Sequence, residues 1–196
     1  RCSEHWLNDL ECNDMQIENY SIVSKFCRVL KTHGGVSIYV RNSCRDIFIP
    51  IDLSKYSKEI HCEFAGVKIL NVVIVGLYRS PDGDLNIFIE NLNLMLSYVI
   101  KNNNLILIGD FNVNFDNSRN SQTQLVVNCL SSFNLIQTIF QPTRVNSNLD
   151  NMFTNMHKNC YATVVFDPVI SDQSRICVTF SLQETANLTK GKVSCR

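Results

Sequence analysis

Two junctions in the sequence place an acid where an apolar run ends. In LILIGDFNVNF (residues 105–115) a strand-like run stops at Gly109 and then presents Asp110 and, two residues on, Asn112. In VISDQSRICVTF (169–180) Asp172 stands between a short apolar segment and a strand-like one. Strand ends are good mounts for chemistry, because the ladder fixes the backbone while the side chain emerges among loops. Along an extended segment Asp110 and Asn112 share a face. A carboxylate beside an amide suits a hard cation or a phosphate, since Mg²⁺ takes oxygen ligands, keeps several waters and bridges to phosphate oxygens. Taken singly, each residue has a plainer reading: GDFN as a turn, Asp172 as a cap, Asp150 in NLDNMF as an Asx turn and Glu4 in SEHWL as a solvated acid.

Such residues need a sheet to position them. Segments rich in β-branched and aromatic residues recur at GGVSIYV (34–40), IFIPI (47–51), IHCEF (60–64) and VKILNVVIVGLY (67–78), the last two expected to form a hairpin through Ala65-Gly66. A helix follows: Leu85, Phe88, Ile89, Leu92, Leu96, Val99 and Ile100 fall on one stripe behind Asp84 as N-cap. A second helix is expected over about Ser121 to Phe133, with Leu125, Val126, Cys129, Leu130 and Phe133 inward. LIQTI, LDNMFT, CYATVVF and RICVTF then read as strands between turn-rich loops. The mixed order predicts an α+β or layered α/β sheet domain in preference to a strict doubly wound one.

With 196 residues, 45% of them hydrophobic and 18% charged, the chain suits one globular domain with a full core. Eighteen basic residues balance 18 acidic ones, so a nucleic-acid partner would have to be held by a local patch. No apolar run approaches the roughly 20 residues of a membrane span, and RCSEHWLNDL lacks the regions of a signal peptide, so a soluble intracellular protein is expected. Nine cysteines, spread from Cys2 to Cys195 without a C-x-x-C pair, show neither a zinc-ribbon nor a redox spacing and are read as reduced thiols, several in the core, with a secreted disulfide framework as the weaker alternative.

SEHWL, GGVSIYV, GLYRSP, LILIGDFNVNF, QPTR followed by NLDNMFTN, and SDQ stand in the order and approximate spacing of the endonuclease domain of non-LTR retrotransposons. Over essentially its whole length the chain resembles the insect jockey-like group within the endonuclease/exonuclease/phosphatase family. The resemblance implies a layered α/β sandwich of two mixed β-sheets flanked by helices, as in deoxyribonuclease I. It also implies a Mg²⁺-dependent endonuclease, Mn²⁺ being a substitute, that nicks DNA as a monomeric domain in the nucleus. By the same resemblance Glu4 is a metal ligand, Tyr78 reaches the scissile phosphate, Asp110 handles nucleophile or metal, and Asn112 orients the phosphate. Thr143 matches a substrate-side threonine and Asp150 the acid that orients a catalytic histidine. Ser171 and Asp172 match the first two positions of a Ser-Asp-His motif, Asp172 as a further metal ligand. Arg79, beside Tyr78, is the favoured phosphate contact, ahead of Arg28, Arg41, Arg144 and Arg175.

Two departures follow. The third position of the motif is Gln173, and an amide neither titrates nor carries the charge of an aspartate-paired imidazole. An acid-base group is typically worth on the order of 10²–10⁴ in rate, so a handicap is expected. The family also carries a strand, a helix and a metal-holding asparagine before the SE-WL block, where this chain begins, so residues 1–183 are expected to form the domain without them and 184–196 a tail. A catalytically silent DNA-binding module of the same fold is the alternative function, and a phosphatase or nuclease acting on a small molecule, RNA or lipid headgroup a third.

Overall fold

The computed structural model describes residues 2–3, 5–31, 33–144, 147–166 and 175–182. In chain order its elements are β1 (Cys2–Ser3), α1 (Asp9–Asp14), β2 (Tyr20–Phe26), β3 (Val36–Arg41), β4 (Ile49–Ile51), β5 (Glu63–Ile69) and β6 (Val72–Tyr78). There follow α2 (Leu85–Val99), β7 (Asn104–Asp110), α3 (Ser121–Ser131), β8 (Ile136–Gln137), β9 (Asp150–Thr154), β10 (Tyr161–Phe166) and β11 (Arg175–Phe180). A six-stranded sheet of order β4-β5-β6-β7-β9-β8 forms the centre. Only β6 and β7 run parallel in it, joined by α2 as a crossover.

The two faces of this sheet are covered differently, as the two-residue period of its strands dictates. Val73, Val75, Leu77, Leu105, Leu107 and Phe153 point toward α2 and α3 and join Phe88, Leu92, Met95, Leu96 and Leu130 in the largest core cluster. Each such fully buried side chain contributes about 1.5–3 kcal/mol. The alternate residues face a second β layer. Val36, Ile38 and Val40 of the antiparallel β1-β3-β2 sheet pack on Ala65, Val67 and Tyr78. The antiparallel β10-β11 pair brings Val165, Ile176 and Val178 onto Ile106 and Met152. The result is the expected layered α/β sandwich, with helices on one face of a mixed sheet and a second β layer on the other.

Several element expectations need correction. The hairpin does not turn at Ala65-Gly66: β5 runs straight through, and the turn is at Leu70-Asn71, with Leu70 at φ 51°. Gly66 was a misleading turn signal. It lies where an added Cβ would come within 2.8 Å of Leu53 Cδ1, so its role is close packing inside a strand. Leu125 is 49% exposed, and Thr123 takes the inward place beside Val126 and Leu130 in α3. LIQTI forms only a two-residue strand. α1 and β2 were not expected at all; α1 carries an Asn8–Glu11 capping box that was legible but sits before no apolar stripe. Asp84 caps α2 as expected, accepting from Asn86 N and Ile87 N. Cys12, Cys62 and Cys129 are buried free thiols. No described helix is long and apolar enough to cross a membrane.

Candidate active site

At one end of the central sheet the register lines up Tyr78 of β6 with Asp110 of β7, and Asp110 with Asp150 of β9. All three share the face of Ile106, Ile108 and Met152, so three adjacent strands deliver a tyrosine and two carboxylates in a single row. Glu63 of β5 extends the row by pairing with Tyr78. Asp110 and Asp150 are 1% and 6% exposed. The next residue, Phe111, points the opposite way and pins the strand end in the helix-side core, 5.4 Å from Phe153 and 5.3 Å from Phe115 between ring centroids. Gly109 is required for the approach of β7 to β6, because a Cβ there would sit 2.1 Å from the Leu77 carbonyl oxygen.

Arg144 crosses from the loop before β9 to this row. Its Nη2 donates to Asp110 Oδ2 at 2.7 Å, and its Nε stands 3.8 Å from Asp150 Oδ2. Asp110 Oδ1 accepts from the Asn112 backbone N–H at 2.9 Å. Contrary to the expectation of an extended segment with Asp110 and Asn112 on one face, the chain turns here, because Asn112 is left-handed at φ 48°. That conformation is one asparagine tolerates, and it lets Asn112 Nδ2 donate to the Arg79 carbonyl at 2.6 Å. Thr143 lies buried behind the row, its Oγ1 accepting from Leu149 N at 3.2 Å and Asp150 N at 3.1 Å. In the described structure it holds the start of β9.

Arg79 does not accompany Tyr78. Successive strand residues face opposite sides, and Arg79 turns toward the helix layer, its guanidinium 5.8 Å from the Phe88 ring centroid. There it donates to the carbonyls of Gly83, Phe111 and Asn112 and is 4% exposed. It braces the site's backbone and offers no open phosphate contact in this arrangement. Arg28 is likewise inward, paired with the fully buried Glu63 and 5.7 Å from the Tyr78 ring. Burial pushes the Glu63 carboxyl above its ordinary range, against the pull of the Gly35 N–H, the Arg28 charge and the Ile60 N–H. Glu63 escaped the sequence reading, although an acid within an apolar strand is itself a signal. Glu4, Ser171, Asp172 and Gln173, like the tail 184–196, lie outside the described residues.

Two buried carboxylates on neighbouring strands make an oxygen donor set suited to a hard divalent cation, and Asp110 is the one expected metal ligand within the described residues. Arg144 now supplies the positive charge there. An open cleft of about 710 Å³ at the far end of the sheet, beside Leu70, Asn71 and Tyr98, includes none of these residues.

No protein-family model and no curated protein sequence matches the chain. Solved structures do match in fold. A 3′ phosphatase from Neisseria bound to a product DNA hairpin superposes with a TM-score of 0.65 at 14% identity, over 92% of this chain and 87% of that one. A mannosyl-6-phosphatase from Bacteroides thetaiotaomicron gives 0.53 at 15% identity, over 91% and 84%. An endonuclease/exonuclease/phosphatase family protein from Leptotrichia buccalis gives 0.52 at 17% identity, over 88% and 76%. The fold of this chain is thus that of the endonuclease/exonuclease/phosphatase proteins.

Proposed function

We propose that the protein is a phosphodiesterase of the retrotransposon-endonuclease type, acting on DNA in the nucleus as a monomeric domain. The observation that carries this reading is the row of Tyr78, Asp110 and Asp150 on three adjacent strands, with Asn112 and Arg144 gathered at the same strand ends. Asp110, with Glu4 and Asp172, would hold the Mg²⁺. That ion, or Mn²⁺ in its place, supplies charge stabilisation at the phosphate and lowers the pKa of an attacking water. Asn112 and Tyr78 orient the phosphate, and Thr143 fixes Asp150 from behind. Arg144, which pairs with both carboxylates in the ion's absence, would be displaced by the ion and turn its charge to the developing phosphorane oxygens. Gln173 cannot take or give a proton, so turnover falls by roughly 10²–10⁴ relative to a histidine at that position.

The test is nicking of supercoiled plasmid with Mg²⁺ or Mn²⁺ by the chain as given, by Gln173→His and by Asp110→Asn. Faster nicking by Gln173→His, abolished when Asp110→Asn is added, is the expected result. A second reading, a DNA-binding module without turnover, is favoured by the ion pair that occupies Asp110 and by Gln173. It would be preferred if DNA were retained at low salt while none of the three proteins nicked it.

A further inference from the structure

Away from the row of acids, the fold gathers three residues that no sequence spacing connects. His5 precedes α1, Cys12 is the buried residue of α1, and Cys27 follows β2 directly. One ring nitrogen of His5 and the two sulfurs lie within 4.8 Å of one another, and among the described residues this is the one group of three or more such side chains so placed. Cys12 is fully buried, while His5 and Cys27 are half-buried. Both cysteines are free. His5 Nδ1 accepts from Leu7 N at 3.1 Å, whereas Nε2 is buried with no hydrogen-bond partner. One imidazole nitrogen and two thiols so close together make a compact nitrogen–sulfur donor set of the kind soft metals take.

We propose that His5, Cys12 and Cys27 form a zinc-binding site, distinct from the Mg²⁺-type carboxylate site and independent of the phosphodiesterase reading. Soft thiolates with imidazole select zinc over Mg²⁺, which takes oxygen. Zinc–sulfur bonds of about 2.3 Å and zinc–nitrogen bonds of about 2.0–2.1 Å place ligand atoms well under 4.8 Å apart, so a slight contraction of the triad completes the site. Binding Zn²⁺ releases one proton from each thiol, and the two thiolates then balance the ion's charge, leaving a neutral centre that suits a half-buried position. Coordination through one ring nitrogen of neutral His5 leaves the ring proton on the other. The fourth position is left for water, since three protein ligands converge.

The surroundings are built to hold His5 in place. Trp6 sits at φ 60°, an unusual conformation for a bulky side chain, with its N–H on the Gly34 carbonyl and its ring 4.4 Å from that of His33. His5 itself packs so tightly on Gly35 that a Cβ there would lie 2.4 Å from its ring. Lys25 ties α1 to β2 through Asp9 and Asn13. Zinc would therefore clasp the segment following Glu4 onto the end of β2.

The proposal is tested on the reduced, metal-stripped full chain with Co²⁺ as a spectroscopic probe and Zn²⁺ as competitor. With Mg²⁺ in excess to fill oxygen sites, one Co²⁺ per chain is expected to give thiolate-to-cobalt charge-transfer absorption that Zn²⁺ abolishes. Cys12→Ser and Cys27→Ser should each lose that absorption, and His5→Gln should shift the visible bands, while Cys177→Ser, exposed on β11, changes nothing. If the cysteine variants do not fold, X-ray absorption of the Zn²⁺-loaded unsubstituted chain decides: two sulfurs at about 2.3 Å with nitrogen or oxygen support the site. Absence of a thiolate band, its survival in both cysteine variants, or a Cys12–Cys27 disulfide in protein prepared with zinc present would overturn it.

Discussion

Arg144 Nη2 lies 2.7 Å from Asp110 Oδ2, and the same guanidinium brings its Nε to 3.8 Å from Asp150 Oδ2. The ladder places these two carboxylates side by side on β7 and β9, so without a cation between them their charges would repel. Arg144 therefore makes the paired acids tolerable in a buried place. A divalent cation held by Asp110 would have to exchange with this guanidinium.

Replacing Arg144 by alanine should make that exchange visible. The variant is expected to lose about 1–3 kcal/mol of stability without metal, less than a fully buried pair would cost because the Arg144 side chain is 24% exposed. Mg²⁺ should then raise the melting temperature of Arg144→Ala more than that of the unsubstituted chain. Thermal unfolding with and without Mg²⁺ checks this, and equal shifts for the two proteins would remove Asp110 from the metal-site hypothesis.

Arg79 gives a contrasting expectation. Its guanidinium serves Gly83, Phe111 and Asn112 carbonyls on the helix side of the sheet, so Arg79→Met should leave buried acceptors unpaired and cost about 2–3 kcal/mol. A phosphate contact would behave otherwise, weakening DNA binding and its salt dependence at unchanged stability. Urea denaturation alongside DNA titration separates the two, and a stable variant with a reduced salt slope would restore Arg79 to the phosphate.

These two arginines mark where the sequence was and was not readable. Tyr78, Asp110, Asn112 and Asp150 are singled out through the resemblance of their sequence blocks to a known family, since each alone reads as a turn, cap or core residue; the parallel and antiparallel register brings Tyr78, Asp110 and Asp150 to one strand end. Arg79 was misplaced by trusting adjacency to Tyr78, when period-two alternation sends neighbours to opposite faces. Arg144 sits in an irregular loop, where no periodicity tells whether a side chain points at the site or at water. Similarly α2 was legible because its stripe outweighs every competing signal. The β5–β6 turn was not: Leu70-Asn71 interrupts one continuous apolar run, while Ala65-Gly66 looked like a better break.

Glu63 supplies a pH-dependent test of the row's outer member. Its raised pKa means that the folded state holds the proton more tightly than the unfolded state. The associated stability is complete below the ordinary value of 4.5 and is lost as pH rises through the folded pKa. Arg28→Met removes the opposing guanidinium and should steepen that loss. We expect a destabilisation of about 3–5 kcal/mol at neutral pH that shrinks as pH falls toward 4.5. In Arg28→Met with Glu63→Gln the dependence should flatten. Denaturation midpoints across that range provide the check, and a penalty that did not vary with pH would mean the carboxyl is not the source.

Gly109, directly before Asp110, is the glycine with the least room for a side chain. A methyl group there would meet the Leu77 carbonyl oxygen at 2.1 Å and its carbon at 2.7 Å, and backbone in a central parallel pair cannot step aside. Gly109→Ala should therefore cost about 3 kcal/mol or more, either unfolding the chain or forcing β7 away from β6 and so parting Tyr78 from Asp110. Gly66→Ala is the control, since its methyl meets chiefly the flexible end of Leu53, at 2.8 Å. It should be the milder substitution by urea denaturation. Comparable costs at the two positions would show that the close approach of β6 and β7 is not what demands glycine at the head of Asp110.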